Sequence, residues 1–209
     1  MSMVLKQEGP YEVEYYIPYV EELEACPAFQ FIPVKEEWVR TKPDPFEWLY
    51  DLKTAVTAEE EFIEGWILDV LKKHFDGHSL WNRKYRYFGY NSGFDYYSIN
   101  YYTYQEMADI AQDIQDMAQK IRQYHGETEA DEVVNQCISE CLSAYLYMPD
   151  HSEEVRQWSL CREKGKQACD GWIVLHAEEL SKVYSNFALA LLNMMKKEPS
   201  CELVCLDGI

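Results

Sequence analysis

The side chains able to do chemistry in this 209-residue chain are five histidines, seven cysteines and 37 acidic residues. Their spacing matches few known sites. A carboxylate-bridged di-iron bundle needs Glu-x-x-His on facing helices, and no acid stands three residues before any histidine. His74 and His78 are four apart, but Asp76-Gly77 interrupts a helix between them, and two ligands do not make a metal site. Cys137 and Cys141 have one-turn helical spacing inside an apolar stripe, where free thiols serve as small hydrophobes. Cys201 and Cys205 repeat that spacing near the end of the chain. There is no Gly-x-Ser-x-Gly elbow and no glycine-rich phosphate loop. The reading is therefore no metal, no cofactor and no assigned catalytic residue. An enzyme with an unrecognised acid/base or thiol site stays as an alternative.

Two constellations remain. Glu106, Asp109, Asp113 and Asp116 follow a helical repeat, which places them within about 80° of one another on one helix face. This ridge reads either as a solvated face or as a binding surface for a cationic partner. Beside it in sequence lie Tyr85, Tyr87, Tyr90, Tyr96, Tyr97, Tyr101, Tyr102 and Tyr104. Tyrosine combines rigid contact area with a polar tip, which favours interface anchors. It also fills the aromatic face of a hairpin lying on a core. Of these, Tyr85, Tyr87, Tyr96, Tyr97 and Tyr101 are the partner-binding candidates that accompany the ridge.

The elements that must position these residues follow from pattern. Tyr11 to Tyr19 and Phe29 to Val34 are rich in strand formers, and Pro18, Pro27 and Pro33 suggest edge strands or extended segments. Asp44-Pro45 is a helix-start signal. Thr57 and Glu60 have capping-box spacing before the helical run Phe62 to Phe75. Tyr85 to Phe88, the turn Tyr90 to Gly93 and Phe94 to Tyr102 read as a β-hairpin. Thr103 and Glu106 form a second capping box, opening a helix whose seam is Met107, Ile110, Ile114, Met117 and Ile121. Thr128 starts another helix, and Pro149 ends it. From Ser152 to Lys197 one unbroken helix would run about 69 Å, so a bend is expected near Gly165 or Gly171. The expected class is mainly α within α+β: a bundle of four to five helices with a small Tyr-rich hairpin and short N-terminal strands. The organisation is a single domain over 1–209, with an N-terminal region at 1–56, a helix at 57–80, the hairpin at 81–102, the bundle at 103–198 and a tail at 199–209 that is either a strand or disordered.

Composition bounds the function. The net charge is −18, which disfavours direct binding of nucleic acid and favours basic partners. The odd number of cysteines and the absence of an apolar leader point to free thiols in the cytoplasm, with no membrane anchor. In charge, size and lack of a catalytic motif the chain is similar to bacterial immunity proteins that neutralise nuclease toxins, and to DNA-mimicking inhibitors. The similarity is one of composition and carries over no residues. It implies an acidic protein-binding module that occupies a basic protein, such as a toxin or nuclease. A helical scaffold or assembly subunit, using its apolar seam to self-associate, is a further alternative.

Overall fold

The computed structural model describes residues 3–6, 11–15, 28–41, 55–84, 93–96, 99–126, 134–135 and 152–207. The chain is α+β. In order, the elements are β1 (Met3–Lys6), β2 (Tyr11–Tyr15), β3 (Ala28–Val34), α1 (Glu36–Thr41), β4 (Ala55–Glu59), α2 (Glu60–Ile63), α3 (Trp66–His74), α4 (Leu80–Lys84), β5 (Asn100–Thr103), α5 (Tyr104–Arg122), α6 (Ser152–Lys164), α7 (Lys166–Lys197) and β6 (Leu203–Asp207). The strands form one antiparallel sheet in the order β1-β2-β4-β3-β6-β5.

Side chains alternate across a strand, and this sheet uses both faces. Phe29 and Phe31 of β3, Val56 and Ala58 of β4, Tyr102 of β5 and Val204 and Leu206 of β6 join the larger core, with α3, α5 and α7. Ile32, Val34, Ala55, Tyr101, Leu203 and Cys205 take the opposite face, under Val39 of α1 and beside Trp38 and Trp81. The register agrees with this division. Phe31 stands opposite Leu206, and Ile32 opposite Cys205. Slipping β6 by one residue would exchange the two faces at every position.

The expected bundle with a β-element at its side is thus replaced by a sheet that α5 and α7 cover on one face. Nor are the strands expected at Tyr11 to Tyr19 and Phe29 to Val34 edges. β2 lies between β1 and β4, and β3 between β4 and β6. Pro33 is accommodated because β4 pairs only with Ala28 to Phe31, leaving Pro33 opposite β6 alone. The tail is a strand, and its residues Leu203 to Leu206 are fully buried.

Two local expectations fail for clear reasons. Thr57 is inside β4 and its Oγ1 has no hydrogen-bond partner among the described residues, so it caps no helix. The helical run after it is cut at Gly65, whose φ of 89° is a left-handed value suited to glycine, giving α2 and α3. Of the hairpin, residues 85–92 and 97–98 lie outside the described residues. Trp81 to Lys84 belong to α4, and Asn100 to Thr103 pair with β6. Asp44-Pro45 and Thr128 also lie outside them.

The bend falls at Gly165, with φ 95°. Its N–H donates to the Cys161 and Arg162 carbonyls, closing α6, while its own carbonyl accepts from Ala168 and Cys169, opening α7. Gly171 lies within α7. The 32 residues of α7 span about 48 Å, enough to cross the sheet and lie along α5.

Candidate functional site

The acidic ridge lies on α5. That helix opens with the expected capping box. Thr103 Oγ1 accepts from the Glu106 amide at 3.2 Å, and the Glu106 carboxylate accepts from the Thr103 amide at 2.7 Å. Glu106 is therefore committed to holding the helix start. Asp109 and Asp116 are exposed and accept only from neutral amides one turn earlier, Gln105 at 2.9 Å and Gln112 at 2.8 Å. Their charges stay uncompensated by these contacts.

Asp113 differs. Its Oδ2 accepts from Lys73 Nζ at 2.6 Å and lies 2.8 Å from His74 Nε2. Both partners are in the last turn of α3, where cations oppose the negative end of the helix dipole. Burial on its own would raise the Asp113 carboxyl, but the hydrogen bonds and charges of Lys73 and His74 outweigh it and hold the group below the ordinary carboxylate range. Asp113 thus joins α5 to α3.

Between the two helices runs an open groove of about 310 Å³ lined by Trp66, Asp69, Val70, Lys73, Asp113, Asp116 and Lys120. Its charges are three carboxylates against two ammonium groups. Asp69 is exposed, and its carboxylate has no hydrogen-bond or ion-pair partner among the described residues. Trp66 supplies the aromatic part of the lining, with its ring centroid 6.4 Å from that of Tyr184. The ridge residues were legible from spacing. Trp66, Asp69, Lys73 and Lys120 were not singled out, because only the pairing of α3 with α5 makes them neighbours.

The tyrosines divide by environment. Tyr101 is 4% exposed and faces the smaller core, so it is not an interface anchor. Tyr96 is partly buried. Its ring meets Phe29 edge-on at 5.1 Å, and its hydroxyl, with one proton to donate, lies 2.5 Å from a Glu60 carboxylate oxygen and 2.9 Å from one of Glu64. Burial, followed by these carboxylates, pushes the phenol far above its ordinary range. Tyr96 fastens the segment before β5 to α2 and is absent from the groove lining. Tyr85, Tyr87 and Tyr97 lie outside the described residues.

Among the described residues, no group of three or more His, Cys, Asp or Glu side chains is placed to hold a metal ion, and no helix is long and apolar enough to cross a membrane. No family model matches the chain, and no curated protein or solved structure matches it either.

Proposed function

We propose that this protein is an acidic binding module that occupies a basic protein partner, in the manner of an immunity protein or a nucleic-acid-mimicking inhibitor. The observation that carries the reading is the set of exposed carboxylates Asp69, Asp109 and Asp116 along α3 and α5, of which Asp69 is unpaired among the described residues and the other two contact only neutral amides. Such charges steer a cationic surface on approach and are free to pair with it on contact. A partner arginine entering the groove meets the Asp69 and Asp116 carboxylates and the Trp66 ring, matching guanidinium in charge and in planar stacking. The same charge repels nucleic-acid phosphates, so the proposed partner is a protein such as a toxin or nuclease. A single-domain protein in the reducing cytoplasm suits this role, with free thiols at Cys161, Cys169, Cys201 and Cys205.

The test is capture from native lysate at stepped salt, comparing the natural protein with Asp109→Lys/Asp116→Lys. A basic protein held at low salt, released at high salt and lost in the double variant supports the reading. Equal retention by both forms removes α5 from it.

A further inference from the structure

Four residues stand in mirror positions about Gly165. Cys161 and Cys169 are four residues before and after it, and Trp158 and Trp172 seven before and after. Were α6 and α7 one straight helix, the two tryptophans would lie about 21 Å apart along its axis. Their ring centroids are 5.3 Å apart. The helices therefore fold toward each other at the glycine, with both indoles on the inner side.

Cys161 follows Trp158 by three residues on α6, and Cys169 precedes Trp172 by three on α7. Residues three apart share a helix face. The thiols consequently lie on the same inner side as the indoles, nearer the corner, where the helices converge. A disulfide usually joins Cα atoms about 4.4–6.8 Å apart, and these two cysteines lie nearer the corner than the indoles that already meet at 5.3 Å. Cys161 is partly buried and Cys169 is 8% exposed, so Cys161 is the more accessible of the two. Burial, followed by the nearness of Cys161 and Asp170, raises the Cys169 thiol above its ordinary range. The buried Nε1 atoms of Trp158 and Trp172 have no hydrogen-bond partner among the described residues.

We propose that Cys161 and Cys169 are a reversible thiol-oxidation site, closing as a disulfide across the Gly165 corner with a low-molecular-weight disulfide as oxidant. The more accessible Cys161 thiol, after losing its proton, attacks one sulfur of glutathione disulfide and expels a glutathione thiolate. Cys169 then loses its proton, and its sulfur attacks Sγ of the Cys161 mixed disulfide, expelling the second thiolate. Two protein thiols are oxidised, one glutathione disulfide is reduced to two thiols, and the two released protons satisfy the two leaving groups. Excess reduced glutathione reverses both steps. Exposure assigns the roles: Cys161 meets the oxidant, and Cys169 resolves the adduct.

The test uses the full-length reduced protein, incubated with glutathione disulfide, then denatured with N-ethylmaleimide and digested with trypsin. Cleavage after Arg156, Arg162, Lys166 and Lys182 puts the two cysteines in separate peptides, 157–162 and 167–182. The expected product is these two peptides joined with the loss of two hydrogens. In Cys169→Ser, Cys161 should instead retain glutathione. A natural protein whose Cys161 ends unreacted, as a lasting glutathione adduct, or joined to Cys137 or Cys141 overturns the proposal. The measurement on the natural protein decides the matter even if the variant fails to fold.

Discussion

The two faces of the sheet are stabilised by different means. One lies under long helices and is filled by aromatic rings: Phe187 of α7 meets Phe31 at 5.7 Å and Phe62 at 5.3 Å, both near edge-on. The other is covered by short helices, and there a polar side chain does what length cannot. Asn82 of α4, 2% exposed, donates to the Tyr101 carbonyl at 2.9 Å and accepts from the Tyr101 amide at 2.9 Å. It also donates to the Asp76 carbonyl at 2.9 Å. Its amide thus takes the place of a neighbouring strand along the outer side of β5, at the sheet edge. Where burial is ample, shape complementarity suffices. Where it is scarce, buried hydrogen bonds hold the layer in place.

The largest test of this contrast is Phe187→Ala, expected to destabilise by about 3–5 kcal/mol in denaturant unfolding. A smaller loss would mean that the aromatic face collapses around the cavity. Next is Asn82→Ala, which strands the amide and carbonyl of Tyr101. We expect about 1–3 kcal/mol, and a result near zero would show that water replaces the side chain. The rim between α3 and α5 lies outside both faces and should matter less. Because the folded Asp113 carboxyl titrates below its unfolded value, its contribution is complete above about pH 4 and is lost as pH falls through the folded value. Asp113→Asn should therefore flatten the acid limb of stability while changing neutral stability by less than about 1 kcal/mol, since the Lys73 partner is 63% exposed. Smallest of all is Asp109→Lys/Asp116→Lys, expected within about 0.5 kcal/mol of the natural protein. A larger loss would mean that these carboxylates serve the fold rather than a partner.

What was legible in the sequence was local. The Thr103–Glu106 box, the seam of α5 and the strand at Phe29 to Val34 each depend on residues within a turn or two of one another, and helix length alone called for a bend near Gly165 or Gly171, of which Gly165 is the one used. Thr57 shows the limit of such reading. Its spacing to Glu60 matches a cap, yet strand pairing with Glu12 and Gln30 claims it. The candidate site divides in the same way. The ridge follows from a helical repeat, whereas the bond from Lys73 to Asp113 joins residues 40 apart, and no local pattern encodes it. Nor does alternation within β3 or β6 reveal that they are neighbours.

The position of β6 has a kinetic consequence. It pairs Asp207 with Gln30 and Leu206 with Asn100, so the sheet closes only when segments far apart in sequence meet. Such closure is entropically expensive before any contact rewards it, and it slows folding relative to chains of local contacts. Until β6 enters, β3 and β5 each present an unpaired edge. Intermediates of that kind recruit strands from other molecules. Refolding yield should accordingly fall as protein concentration rises, even though the finished sheet encloses β6 between two neighbours.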